Sequence, residues 1–263
     1  MNAVVFLGGG RITSAMLSGL RLAEVNDRLI VHDRNPGKLR DLRKRYLVTI
    51  EPDLRRALAE ANLLIIAVRP DAVRELLRSI GKVDRRILAA SLAAGVPLRV
   101  LSKALGSPIR WARAMPSPAS RSGRGLTALS FPRTLALSDR KRVRDLFSKL
   151  GTVIEMPESK LDAFTVTYSS THGYHALAAL ASAAQEIGLD RETALLASAH
   201  ALADGIVAWR DGKHSLKSLL DEAATPGGIA AAAMAGMDAA GYGRAVRKGV
   251  EAGLRRVRAN VRD

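Results

Sequence analysis

The sequence predicts an α/β chain in two parts: a doubly wound parallel sheet over residues 1–157, followed by an all-α domain over residues 158–263. Three observations carry this reading. A short apolar run near the N-terminus ends directly in three glycines. Apolar runs of strand length then alternate with helix-period segments through the first half, the pattern of a parallel sheet with crossover helices. After Met156 strand signal almost disappears and alanine becomes dense at helical spacing.

The first strand is Ala3 to Leu7, the turn is Gly8-Gly9-Gly10, and Arg11-Ile12-Thr13 opens a helix. A side chain at Gly8 would block the tight turn, and one at Gly10 would hold the backbone off a pyrophosphate. Ser14 or Ala15 is small enough for the helix to pack closely on the strand. The free N–H groups at the helix start, from Arg11 and Ile12 onward, then face the phosphates. Strand, glycine turn and helix together read as the beginning of a Rossmann-type dinucleotide-binding unit.

A second strand, Arg28 to His32, ends at Asp33, about 25 residues beyond the first glycine and near the spacing of an acid that binds ribose hydroxyls. Arg34, Asn35 and Lys38 follow at once, and such cations suit a 2′-phosphate. Asp33 argues for NAD; Arg34 with Lys38 argues for NADP. The weight falls on NADP, with NAD as the alternative, because a guanidinium can stack on adenine and grip the phosphate. Beyond Lys38, the cations through Arg45 read as the solvated face of a helix that ends at Tyr46.

A helix from Glu51-Pro52-Asp53 to Glu60 leads to Asn62–Val68, apolar on both faces and hence a central strand. Arg69-Pro70 stops it and opens a helix to Ile80. Strands at Ile87–Ser91 and Ile109–Arg113 flank a helix from Leu98 to Leu105. Ligands of such sheets lie beyond the strand C-termini. The turns at Gly8–Gly10, Val68-Arg69-Pro70, Ser91–Gly95 with Ala93, and Met115-Pro116 through Ser120 are therefore expected to surround the cofactor.

With 48% hydrophobic residues in 263, the chain can bury a core. It has no cysteine, which excludes disulfides, thiolate metal sites and a cysteine nucleophile. No signal-like leader and no apolar stretch of bilayer length is legible, so no membrane association and a cytoplasmic location are expected. The net charge is +16, with basic runs at Arg140–Arg144 and at Arg255, Arg256, Arg258 and Arg262. Aromatics are only 4%, too few for a stacking platform, so these cations read as solvated helix faces and no nucleic-acid partner is expected. A basic field does favour approach of an anionic cofactor or substrate.

Glycines 188, 212 and 241 punctuate four or five helices in the second half. Small side chains let helices approach closely, but so few large apolar groups make a weak core, so this domain is expected to complete itself against a second copy as a homodimer or higher homo-oligomer.

These motifs, in this order, resemble the pyrroline-5-carboxylate reductase family nearly end to end. The resemblance is carried by Gly8–Gly10, Asp33-Arg34-Asn35-Pro36 with Lys38, Ala67-Val68-Arg69-Pro70, Ser91-Leu92-Ala93-Ala94-Gly95-Val96, Arg113-Ala114-Met115-Pro116, Leu161-Asp162-Ala163 and Thr225-Pro226-Gly227-Gly228. It implies NAD(P)H-dependent reduction of a cyclic imine to proline, a helical dimerisation domain, and an active site at a cleft between the domains to which the partner subunit contributes.

The chain departs from the family pattern where the substrate is expected. The family's Ser-Gly-Ser-Gly-Pro-Ala-Tyr stands here as Tyr168-Ser169-Ser170-Thr171-His172-Gly173-Tyr174. Ala230 replaces a threonine near the imine nitrogen, and Ser117 replaces the asparagine after Met-Pro. Main-chain N–H groups around Thr225, Gly227 and Gly228 can still hold a carboxylate. Ser170 is in register with a family serine. His172, Tyr174 and Thr225 are the candidate catalytic residues, with Tyr168 a further polar contact; a local capping role for His172 is the alternative. His172 and His175 lack a third ligand, so no metal is expected. His200, Trp111 and Trp209 read as structural. Two other functions remain open: a cofactor-binding protein without this catalysis, and a β-hydroxyacid-type dehydrogenase. The latter usually carries a lysine on the first long helix of its second domain, whereas Lys160 precedes it here.

Overall fold

The computed structural model describes residues 3–260, so Arg262 of the C-terminal basic series lies outside the described residues. Contacts divide the chain into two compact units. One is the chain up to Tyr168 together with the stretch from Gly253 onward; the other is Ser169–Ala252.

The first unit is built on an eight-stranded sheet. Its strands are β1 (Ala3–Leu7), β2 (Arg28–His32), β3 (Thr49–Ile50), β4 (Leu63–Ile66), β5 (Ile87–Ser91), β6 (Ile109–Met115), β7 (Gly125–Ser130) and β8 (Gly151–Glu155). Their order is β3-β2-β1-β4-β5-β6-β7-β8, parallel at every pairing except β6 with β7. Connecting helices are α1 (Arg11–Leu22), α2 (Pro36–Tyr46), α3 (Leu54–Glu60), α4 (Pro70–Ile80), α5 (Leu98–Leu105) and α6 (Leu137–Ser148). The chain therefore runs outward from β1 to β3, returns, and starts again at β4, which leaves a switch point between β1 and β4.

The five strands expected from apolar runs form close to where the sequence places them, with β4 shortened to Leu63–Ile66 and β6 running on to Met115, because their interiors are buried on both faces. Val4 and Phe6 enter the core with Met16, Leu17, Leu20 and Phe147, while Val5 and Leu7 face Leu64, Ile66, Leu101 and Trp111. Three further strands escaped the apolar pattern. β3 is only two residues long, β7 carries Thr127 and Ser130 inside the core, and β8 is a half-exposed edge. The expected loop at Met115–Ser120 divides: Met115 ends β6, and Pro118–Ser122 winds into a 3-10 turn capped by the Ser117 hydroxyl.

Helix α1 makes a close approach that the sequence did not indicate, beyond the small residues of its first turn. Ser14 Oγ pairs with Tyr46 Oη at 2.7 Å, and Ala15 is simply buried. The tight approach is at Gly19, where a Cβ would overlap the carbonyl oxygen of Ser120 in the 3-10 turn.

Helix α7 (Glu158–Thr167) also belongs to the first unit and carries Lys160, which therefore precedes the long helix at Ser170–Glu186 that opens the second unit. The second unit holds α8 (Ser170–Glu186), α9 (Arg191–Asp211), α10 (Leu216–Ala223), α11 (Ile229–Ala239) and the start of α12 (Tyr242–Ala259). Six helices thus follow residue 157, where texture suggested four or five. Ser169, Asp190 and Ser215 cap α8, α9 and α10 through their side-chain oxygens. These helices bury little by themselves: α8 buries only Ala181, α9 only Ala194 and Ser198, and α10 and α11 nothing. Ile187 and Ile229 are 85% and 92% exposed. Trp209, read from sequence as a packing residue, is half exposed in the single chain because no second layer covers its face of α9.

Several cations of the basic run are engaged locally. Arg140 donates to the carbonyls of Pro132, Arg133 and Leu135 and lies over the Phe131 ring, Lys141 pairs with Asp145, and Arg144 pairs with Glu155. No helix among the described residues is long and apolar enough to cross a membrane.

Replacing Gly19 with alanine should cost about 1–3 kcal/mol, the usual price of forcing atoms into a packed contact. Urea unfolding checks this, and wild-type stability would show that the helix and the 3-10 turn can part at no cost.

Candidate functional site

The C-terminal ends of β1, β2 and β4 open on a cleft of about 1080 Å³. Its floor is the glycine turn. Gly8 holds φ +110°, a conformation L side chains rarely adopt, and a Cβ there would sit 2.7 Å from the Ala67 carbonyl oxygen. Gly8 N donates to His32 O at 2.8 Å, and Thr13 Oγ1 donates to Gly8 O at 2.5 Å. Gly8 is thus required by the protein's own packing. Gly10 is different: its φ of −81° is ordinary, and an added Cβ would meet nothing within 4 Å. The fold leaves that space open toward the cleft.

Gly10 is also the N-cap of α1 and supplies no side-chain cap. The first N–H groups of this helix are left for a ligand, with the positive end of the helix dipole behind them. Open backbone, uncapped helix start and cleft volume together suit a dinucleotide diphosphate, so the residues present fit the coenzyme that the sequence implies.

Asp33 braces this turn. Its Oδ2 accepts from Gly9 N at 2.7 Å and its Oδ1 from Asn35 N at 2.8 Å, while Lys38 Nζ lies 3.9 Å from Oδ2. Arg34 extends over the cleft and pairs with Glu75 of α4. The Asp53 carboxyl, also on the rim, is held below the usual carboxylate range chiefly by the backbone N–H of Arg56, which it caps.

Of the residues expected at the cofactor, Gly8, Gly10, Arg11, Asp33, Arg34, Val68 and Arg69 line this cleft. The others serve around it. Ile12 packs against the core, Asn35 caps α2 by accepting from Gly37 N and Lys38 N, and Pro70 is the first residue of α4. Ala93 is buried with its carbonyl facing Arg113 Nη2 at 3.5 Å; Met115 is buried beside Leu161, and Pro116 follows β6.

Of the cations beyond Lys38, Arg40, Arg43 and Lys44 are exposed as a solvated face would be, whereas Arg45 reaches the cleft. Lys38, Asp41, Leu42 and Arg45 all line the cleft, because positions spaced by three and four share one side of α2. That periodicity was present in the sequence. Glu75 and Arg121 were missed and carry no local signal; only the fold brings α4 and the 3-10 turn to the rim. A buried cation was missed too: Arg113 Nη1 donates to Glu158 Oε1 at 3.2 Å, and the same carboxylate oxygen accepts from Leu98 N at 2.6 Å. This ties the segment after β5 to α7.

In the helical unit, Ser170 and His172 lie in the first turn of α8, whose cap is Ser169, and Tyr174 is exposed one turn on. Thr225, Gly227 and Gly228 form a tight turn, with Gly228 N donating to Thr225 O at 2.9 Å and Gly227 at φ +76°. Gly228 begins α11 and offers no side-chain cap. Tyr168 has a structural role that the sequence does not indicate. Its oxygen accepts from Leu126 N at 2.8 Å and from Ser117 Oγ at 3.0 Å, which fastens the end of α7 to the sheet.

A doubly wound sheet with a glycine turn, a bare helix start and a cleft at the switch point defines a dinucleotide-binding protein of the Rossmann class. Comparison with known proteins narrows this. A family model for "NADP oxidoreductase coenzyme F420-dependent" matches residues 3–95, and one for "Pyrroline-5-carboxylate reductase dimerisation" matches residues 158–260. The pyrroline-5-carboxylate reductase of Thermus thermophilus is 32% identical over 96% of this chain and 96% of its own length. Among solved structures, the 1-pyrroline-5-carboxylate reductase of Streptococcus pyogenes superposes with a TM-score of 0.89 at 20% identity over 98% of each chain. That of Plasmodium falciparum, solved with NADP bound, gives 0.86 at 20% identity, again over 98% of each. The chain belongs to the pyrroline-5-carboxylate reductase family.

The two glycines should separate on substitution. Gly10→Val is expected to leave the thermal melt near wild type while abolishing coenzyme binding, measured by nucleotide fluorescence. Gly8→Ala should lower the melting temperature itself. A Gly10→Val protein that binds coenzyme normally would refute the steric argument.

Proposed function

We propose that this chain reduces 1-pyrroline-5-carboxylate to proline with NADPH. The observation that carries the reading is the open backbone at Gly10 at the uncapped start of α1, in a cleft whose far end presents Arg34 and Lys38. Membership of the family and the NADP bound in the Plasmodium relative support it.

When bound in the cleft, the coenzyme would supply a hydride to the ring carbon of the protonated imine, which gives the secondary amine. The chain's own part is placement. Backbone N–H groups at the start of α1 hold the diphosphate, and Arg34 and Lys38 hold the 2′-phosphate. The bare N-terminus of α11 and the tight turn at Thr225–Gly228 offer main-chain N–H groups to the substrate carboxylate. In this reading Ser170, His172, Tyr174 and Thr225 are the side chains that contact the ring. An imine is most electrophilic when protonated, so reduction here asks only that the protonated substrate be held and water excluded. Ala230 offers no hydroxyl to this task, which assigns polar contacts at the nitrogen to His172 or Tyr174.

The exposed apolar side chains of α9, α10 and α11, among them Ile206, Trp209, Leu220 and Ile229, support a homodimer or higher homo-oligomer closed through the helical unit.

NADPH oxidation followed with 1-pyrroline-5-carboxylate beside other cyclic imines and keto acids tests the activity. Turnover should be fastest with the pyrroline, and tight coenzyme binding without turnover on any substrate would defeat the enzyme reading. Arg34→Ala should weaken NADPH about tenfold, the scale of a charge-assisted hydrogen bond, with little change for NADH. Equal losses for both would reverse the coenzyme assignment.

A further inference from the structure

The adenosine end of the cleft contains an acid that the sequence gives no reason to suspect. Glu75 projects from α4, and its Oε1 accepts from Arg34 Nη1 at 2.7 Å; both residues line the cleft and both side chains are mainly exposed. Asp33, the acid the spacing assigns to the ribose, has each oxygen on a backbone N–H, from Gly9 and from Asn35. Charged groups that also line the cleft include Lys38, 3.9 Å from Asp33, Asp41 and Arg45 of α2, Asp53, Arg121, and Arg69, which pairs with Asp71 at 3.4 Å. Glu75 is therefore the carboxylate that meets Arg34.

We infer that Glu75 is a specificity-determining residue: it competes with a coenzyme 2′-phosphate for the Arg34 guanidinium and so limits the preference for the phosphorylated coenzyme. The inference rests on the proposed use of NADPH. An exposed ion pair is weak enough to exchange partners, and a phosphate is the stronger acceptor for a guanidinium. The exchange still leaves the Glu75 charge close to an anion of the same sign, partly screened by salt. A 2′-hydroxyl carries no charge and makes no such demand on Arg34. Glu75 consequently opposes the phosphate and is nearly indifferent to the hydroxyl. It restrains NADPH binding and leaves NADH binding as it is.

The test uses the full chain and four proteins: wild type, Glu75→Gln, Arg34→Ala and the double variant. Dissociation constants for NADPH and NADH are read by nucleotide fluorescence at low and at high salt. Glu75→Gln keeps the shape and removes the charge, and should tighten NADPH about threefold at low salt while leaving NADH unchanged. The gain should shrink at high salt and on the Arg34→Ala background, which locates the competition at the guanidinium. Matching thermal melts exclude a folding effect. Glu75→Gln that weakens NADPH, shifts both coenzymes equally or shifts neither overturns the role of Glu75 while coenzyme use stands. A wild-type chain that binds neither coenzyme overturns the cofactor reading and this inference with it.

Discussion

The approach of the Gly8 backbone to the Ala67 carbonyl is the constraint from which the cleft follows. It holds the first glycine between the ends of β1 and β4, while its N–H reaches His32 at the end of β2. Three strand ends are thereby fixed to one turn. Thr13 then closes on the Gly8 carbonyl and sets the direction in which α1 leaves. With that direction fixed, the first N–H groups of α1 open on the same cleft that Arg34, just after β2, and Lys38 of α2 line. A side chain at this one position would separate all of these features.

The electrostatics of the cleft are set by how its acids are used. Asp33 is committed to backbone N–H groups, so it stiffens the turn. That use accounts for a carboxylate standing beside Arg34 and Lys38 in a site suited to a phosphate: its charge is already shared with two amides and a lysine. Strong charge pairing elsewhere is structural. Arg113 is almost wholly buried, which is tolerable because Glu158 and a backbone carbonyl share it, and Glu158 in turn holds the N–H of Leu98 at the start of α5.

The helical unit obeys a different balance. Side chains cap α8, α9 and α10, but the unit is alanine-rich, and small side chains bury little area however closely the backbones approach. Large apolar groups such as Ile187, Trp209 and Ile229 remain uncovered in the single chain. Family membership gives this exposure a purpose, since the match over residues 158–260 is to a dimerisation domain.

Most of the parallel sheet was legible because a strand buried on both faces must be apolar throughout, and the glycine turn was legible because its backbone admits no side chain. The same local physics marked the helices, their punctuation by glycine and the change of texture after Met156. The sequence by itself therefore determined the nucleotide-binding unit, the charged segment Asp33–Lys38 beside its glycine turn and the helical second half. β3, β7 and β8 were hidden because they are short, polar inside or half exposed, and none of these conditions demands an apolar run. Tertiary structure alone decided the rest. It made Asp33 a brace of the glycine turn, took Tyr168 into a joint with Ser117 and Leu126, added a close approach of α1 at Gly19, and carried Glu75 across to Arg34. Each of these depends on atoms distant in sequence meeting within a few ångströms, and no local pattern of residues encodes such a meeting.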